Sequence, residues 1–361
     1  MQDGGRVRLR AVASTVVGAL GSAIGVGVGL PHLSKRGPVV TTALGLAALV
    51  LGLVLLVAGT VVLSGTTRGW RRLPPVLGAL VVLGTSLLTV GQAVAATQVP
   101  PTRLGSARPV DLGLRSEDVE ITTGDGVRLS GWYLPSTNGA AVALLHGAGS
   151  TRTSVLDQAA LLVRAGYGVL LYDARGHGRS EGRAMDFGWF GDRDVAAAVT
   201  YLVERPEVDD DRIGVVGLSM GGEEAIGAAA SDRRIHAVVA EGATNRVAGD
   251  KAWLSDEHGV QGWLQEQLDR VTYGITDLLT SADPPITLRR AVHEAAPTPV
   301  LLIAAGEVDT EQQAARFIAA GSPAAVQTWV VPGAGHTGGL DTDPDGWEER
   351  VVGFLDEALG R

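Results

Sequence analysis

Apolar and polar positions divide the chain into two unlike parts. Over the first hundred residues, the runs 11–30, 39–63 and 76–96 contain no charged side chain. Each is near or above the ~20 residues a helix needs to cross a hydrocarbon layer. Runs without a polar face cannot be the half-solvated helices of a water-soluble domain. They predict a membrane domain over residues 1–97 with three transmembrane helices. Gly21, Gly25 and Gly29 recur four apart in the first run, on one helical face. That spacing allows a second helix to approach closely.

Beyond residue 97 the pattern changes. Residues 98–116 carry prolines and no periodicity, and read as an extended linker. The alternating runs 118–122 and 127–134 flank Thr123-Gly124-Asp125-Gly126, which predicts an antiparallel hairpin. Short strand-like runs, mostly apolar, follow at 141–145, 167–172, 212–216, 235–240, 300–304 and 326–331. Helical stretches at 154–164, 188–204 and 221–230 separate several of them. Strands buried on both faces and alternating with helices predict an α/β domain over 117–361, with a mainly parallel sheet and helices on both faces. Residues 244–299 interrupt the alternation as an insertion. There Leu264, Leu268, Val271, Ile275 and Leu278 mark one apolar helical face, beside Trp253, Trp263 and Tyr273.

Charge follows the same division. Residues 1–109 hold ten Lys or Arg against one acid, a net +9, while the remainder carries −18, together the −9 of the whole chain. An acidic globular half argues against a nucleic-acid partner, which would require a basic stripe. Arg6, Arg8, Arg10, Arg68, Arg71 and Arg72 fall on one side of the three runs, and Lys35, Arg36, Arg103 and Arg108 on the other. The excess of basic residues sets the N-terminus in the cytoplasm and, after three crossings, the second domain outside. The chain has no cysteine, so disulfides and thiol chemistry are excluded. No phosphate loop, dinucleotide fingerprint or ligand cluster at metal spacing occurs, so no cofactor or metal is expected.

The candidate chemistry lies at the ends of the predicted strands. Gly217-Leu218-Ser219-Met220-Gly221 joins a strand to a small-residue helix, the pattern of a nucleophile elbow whose tight turn lifts the serine above the sheet edge. His146-Gly147-Ala148-Gly149 ends an earlier strand, Gly306-Glu307-Val308-Asp309 a later one, and Gly333-Ala334-Gly335-His336 follows the last. A serine hydroxyl needs a base, and the base needs an acid to fix its tautomer. Glu307 and Glu241 remain alternatives to Asp309 as the acid, and Thr310-Glu311-Gln312 opens the next helix without an intervening proline. Glu223 and Glu224, in the first turns after the elbow, read as capping or surface residues. Asp173-Ala174-Arg175-Gly176-His177-Gly178-Arg179-Ser180 adds a glycine-shaped loop. Its His177 precedes the serine and has no evident acid partner.

Together these motifs, in the order serine, acid, histidine, resemble the α/β-hydrolase superfamily over about residues 117–358. The resemblance implies an α/β-hydrolase fold and a serine hydrolase acting on an ester, thioester or amide of a small or lipid-like acyl substrate. It implies Ser219, Asp309 and His336 as the triad, and the N–H groups of Met220 and Ala148 as the oxyanion hole. The insertion at about 244–299 would be a cap over the active site, and Asp173 and Arg175 would be structural. The competing expectation is a catalytically silent hydrolase-like module that binds a membrane partner, against which the complete serine, acid and histidine set weighs.

Overall fold

The computed structural model describes residues 2–65 and 69–360. Arg68, one of the orienting basic residues, lies outside them. The chain forms two compact units. One runs to Pro100 and includes Trp263–Ser281; the other comprises Pro101–Gly262 and the chain from Ala282 onward.

The first unit contains three helices long and apolar enough to cross a membrane, Gly5–Ser34, Val39–Gly65 and Gly69–Thr97. They contain the three predicted runs and extend past them. The first relaxes into a π-helical turn at Gly25–Gly29. Its glycines meet glycines of the second helix. A Cβ on Gly29 would lie 2.8 Å from the Gly45 carbonyl carbon, and one on Gly52 would lie 2.7 Å from the Gly21 carbonyl carbon. Gly25 is closed in the same way against Leu49, and Gly18 against Leu56. Two backbones in contact leave no room for side chains, and dispersion between them contributes to the attraction. The repeat of four in the sequence therefore marks a helix–helix seam.

The second unit is built on an eight-stranded sheet in the order β1-β2-β4-β3-β5-β6-β7-β8. The strands are β1 (Glu117–Thr122), β2 (Arg128–Leu134), β3 (Ala141–Leu145), β4 (Gly168–Tyr172), β5 (Ile213–Leu218), β6 (Ala237–Glu241), β7 (Val300–Ala305) and β8 (Val326–Val331). The predicted hairpin is β1–β2, with Glu117 opposite Tyr133, and from β4 through β8 every pairing is parallel. Alternate residues feed separate cores. Ala143, Leu145, Leu302 and Ala304 join one, and Val142, Leu144, Leu301 and Ile303 the other. A strand buried on both faces has no polar phase, which is why these segments read as unbroken apolar runs. The chain reverses direction across the sheet between β3 and β5. Connections leave to opposite faces there, opening a crevice at the carboxyl ends of those strands.

The insertion at 244–299 is divided between the units. Its start belongs to the second unit, where Trp253 and Leu254 pack on Ala314. Trp263–Ser281, the later part of the helix Leu254–Leu279, belongs to the first. That helix changes direction at Gly259, which has φ 56°.

The glycine seam yields a paired test. Gly52→Leu is expected to lower the thermal stability of the detergent-solubilised protein by at least about 1–3 kcal/mol, the cost of overpacking a filled contact. Gly78→Leu, where nothing lies within 4 Å of an added Cβ, should leave the melting temperature unchanged.

Candidate active site

Ser219 stands between β5 and the helix Met220–Ser231 with φ 54° and ψ −121°. Side chains other than glycine rarely occupy that region, and the cost is borne by the surrounding packing. A Cβ at Gly217 would strike the Gly221 carbonyl, and one at Gly221 would lie 2.7 Å from the Leu145 Cβ. Both flanking glycines are thus required by backbone contact. The Ser219 N–H donates to the Glu241 carbonyl at 2.7 Å, tying the elbow to the end of β6.

His336 lies on the loop after β8, followed by Thr337 at φ 53°. Its Nε2 is 2.9 Å from the Ser219 Oγ, and its Nδ1 is 2.5 Å from the Glu311 Oε1. With Nδ1–H donating to the carboxylate, Nε2 is left as the acceptor of the serine hydroxyl. Glu311 is 2% exposed, and its Oε2 accepts the Ala305 N–H at 2.9 Å. The hydrogen bond and charge of Glu311 raise the His336 pKa above its usual value, against the opposing effect of partial burial.

The partner of His336 is therefore Glu311, whereas the sequence pattern pointed to Asp309. Three residues after β7 the chain enters the helix Asp309–Ala319. Two residues on a helix are about 200° apart, so Asp309 faces solvent while Glu311 turns inward. The extra methylene of glutamate supplies the remaining reach. The direct entry into a helix after Asp309, with no proline-bearing loop, was the signal in the sequence.

The other carboxylates hold the frame. Glu307 is exposed, and its N–H donates to the Ala334 carbonyl at 3.0 Å, joining the acid loop to the histidine loop. Glu241 is buried and accepts from the Gly339 N–H at 2.8 Å and the Trp347 indole N–H at 3.0 Å. Burial pushes its carboxyl pKa up, against those two bonds. Glu223 and Glu224 are buried, not on the surface. Glu223 accepts the N–H groups of Thr244 and Asn245 at 3.1 and 2.9 Å, fastening the loop after β6. Burial raises the pKa of both groups.

On the opposite wall, His146 and His177 brace the glycine-rich loop. His146 Nε2 accepts the Ala174 N–H at 3.0 Å, and His177 Nε2 accepts the Gly149 N–H at 3.2 Å. The rings pack edge to face at 5.1 Å. Burial holds the His146 pKa down to about 4, so the ring stays neutral and can accept. Between these anchors Gly147 presses on Ser219, its notional Cβ 3.1 Å from the serine Cβ, and Ala148 faces the opening. Met220 is the first residue of its helix, so its N–H has no intrahelical acceptor. Asp173 and Arg175 are structural. The former accepts the Arg152 and Arg179 N–H groups, and the latter bridges Asp194 and Asp125.

Gly147, Ala148, Ser150, Gln158, Ser219 and His336 line a cleft of about 400 Å³. A larger cavity of about 710 Å³ lies beside Glu120, Arg193 and Tyr201, and no histidine lines it.

The Ser219–His336–Glu311 chain carries a direct prediction. In Glu311→Gln the imidazole loses the charge that favours its protonated form, so the His336 pKa should fall. Imidazole proton or carbon shifts followed against pH will show it. An unchanged titration would mean that Glu311 does not act on the ring.

Known proteins share this framework. A family model described as serine aminopeptidase, S33, matches residues 136–276. A thiohydrolase of Aspergillus aculeatus is 37% identical over 126 residues, 34% of this chain and 40% of that protein, so the chain spans less than half of it. An uncharacterized protein of Mycobacterium tuberculosis is 32% identical over 241 residues, 65% of this chain and 75% of the relative. Among solved structures, an esterase of Pyrococcus furiosus superposes with a TM-score of 0.58 at 29% identity, over 73% of this chain and 99% of that one. A strained serine between β5 and its helix, on a sheet of this strand order and with relatives matched over most of their length, places the chain in the α/β-hydrolase superfamily.

Proposed function

We propose that the protein is a membrane-anchored serine hydrolase that cleaves an ester, thioester or amide through an acyl-enzyme. The observation that carries this reading is the unbroken hydrogen-bonded chain from Ser219 through His336 to Glu311. In the first step Ser219 Oγ attacks the acyl carbon while its proton passes to His336 Nε2. Glu311 holds Nδ1–H in place and stabilises the imidazolium that forms. The N–H groups of Met220 and Ala148 receive the developing oxyanion. Each such donor contributes roughly 3 kcal/mol to the transition state. The imidazolium then protonates the leaving group, and water, deprotonated by the same ring, releases the acid.

Similarity to an esterase and to a thiohydrolase supports acyl transfer, and favours an ester or thioester over a peptide. The three long apolar helices support attachment to a membrane, and the basic residues support a cytoplasmic N-terminus with the hydrolase unit outside.

A fluorophosphonate probe should label the wild-type protein and fail on Ser219→Ala and His336→Ala. Absence of labelling on folded wild type would overturn the reading. Glu311→Gln keeps an acceptor for the Ala305 N–H but presents the wrong group to Nδ1. It should lower kcat by about 10²- to 10⁴-fold, as tautomer disruption does elsewhere. Asp309→Asn should stay within about twofold, the range of an exposed surface substitution.

The base must be neutral to accept the serine proton. Because the His336 pKa is raised from 6.5, kcat/KM should climb with pH through a midpoint above 6.5. The stabilisation from the His336–Glu311 pair has the opposite sense. It is fully present below the unfolded-state value and is lost as pH rises through the folded one. The pair's own contribution, read as the difference between thermal melts of wild type and Glu311→Gln across pH 5–9, should therefore shrink as kcat/KM rises.

A further inference from the structure

The segment Trp263–Ser281 turns the ordinary amphipathic arrangement around. Its inward side is polar: Glu266 is 6% exposed, Asp269 5%, Thr272 3% and Thr276 fully buried. Of the apolar stripe seen in the sequence, Leu264 and Val271 are about half exposed and Leu278 83% exposed, while Leu268 and Ile275 are half-buried and the exposed Gln265, Arg270 and Asp277 lie to either side of it. In water a helix buries its apolar stripe and solvates the polar one. Here the reverse holds over nearly four turns.

The buried hydroxyls are satisfied. Thr272 Oγ1 shares its one proton between the Leu268 carbonyl at 2.9 Å and the Leu88 carbonyl at 3.2 Å. Thr276 Oγ1 donates to the Thr272 carbonyl at 3.0 Å. Gln265 donates to Asp269 at 3.2 Å, and Arg270 lies 3.7 Å from Glu266. The Thr272–Leu88 bond ties this face to the third long helix, within the same compact unit, and the other bonds lie within the segment. The long helices of that unit also turn large apolar side chains outward, among them Val57 and Leu80.

We propose that Leu264, Val271 and Leu278 contact lipid acyl chains, making Trp263–Ser281 a fourth membrane-contacting segment. The chain supplies it from within the hydrolase sequence, between β6 and β7. Lipid is the occupant because the stripe continues the apolar surface of a unit that holds three membrane-length helices. A hydrocarbon solvent is also the one in which polar-inward, apolar-outward packing is the stable arrangement. A stripe from 264 to 278 runs about 21 Å along the helix axis at the usual rise per residue. The inference rests on the membrane reading above and extends it to a segment whose composition alone would not place it there.

The chain has no cysteine, so single-cysteine labelling needs no background removal. Leu264→Cys, Val271→Cys and Leu278→Cys would carry nitroxide labels in the full-length protein, reconstituted in phospholipid nanodiscs. Val57→Cys serves as the reference for the long helices and Asp210→Cys as the reference for water. Collision with oxygen, which concentrates in lipid, is compared with collision with a water-soluble nickel chelate.

The expected result is an oxygen-to-nickel ratio at 264, 271 and 278 that matches position 57 and exceeds position 210. Ratios at the three positions matching 210, with 57 still lipid-like, would overturn the inference and leave the membrane reading intact. A water-like ratio at 57 would overturn the membrane reading itself. Labels immobilised and shielded from both reagents would identify a protein partner on the stripe, and would equally overturn lipid contact.

Discussion

Everything at the candidate site depends on how closely a strand and a helix meet around Ser219. The serine backbone adopts φ 54°, and both glycines two positions away are in backbone contact with their surroundings. No side chain fits at either position, so the turn cannot relax without moving Leu145 or the helix. The strain is held by the cores on the two faces of the sheet, whose central strands are wholly buried. That rigidity keeps Oγ within 2.9 Å of His336, although the two residues are separated by more than a hundred positions. Pre-organisation of this kind lets the reacting groups meet without reorganising solvent.

Around this point carboxylates of similar chemistry have different tasks, and their surroundings assign them. Glu311 is buried with one oxygen on the Ala305 N–H and the other on the imidazole. Glu241 is buried without touching the ring, and its two oxygens hold Gly339 and Trp347. Glu223 fastens the loop after β6. Asp309 stays in water at the start of its helix. The two histidines of the opposite wall show the same logic. Each accepts a backbone N–H, which a neutral ring can do and a protonated one cannot.

The two compact units obey different packing rules. In the hydrolase unit apolar side chains face inward and glycines serve turns. In the helical unit Gly25, Gly29 and Gly52 lie at a helix–helix contact, and large apolar residues such as Val57, Leu80 and Leu278 face out. The buried glutamate and aspartate of Trp263–Ser281 fit this second scheme, in which polar side chains lie on the inner side of a helix. Read from periodicity, the stripe on that segment had the form of an ordinary core face. Period alone reports a face and not the medium it meets.

Local pattern carried much of the protein. The three long apolar helices, the opening hairpin, the parallel strands and the Ser219 elbow were legible because each depends on residues close in sequence. His336 was legible through its glycine-rich approach at a strand end. The carboxylate that meets His336 was not, because its identity turns on which side of one helical turn faces the imidazole. That is decided by where β7 stops and the next helix begins relative to a loop from β8. Whether Glu223 caps a helix or lies buried, and which way the stripe on Trp263–Ser281 points, were likewise settled by tertiary packing. Short-range preferences specify elements and turns, but burial and orientation are properties of the neighbours an element acquires.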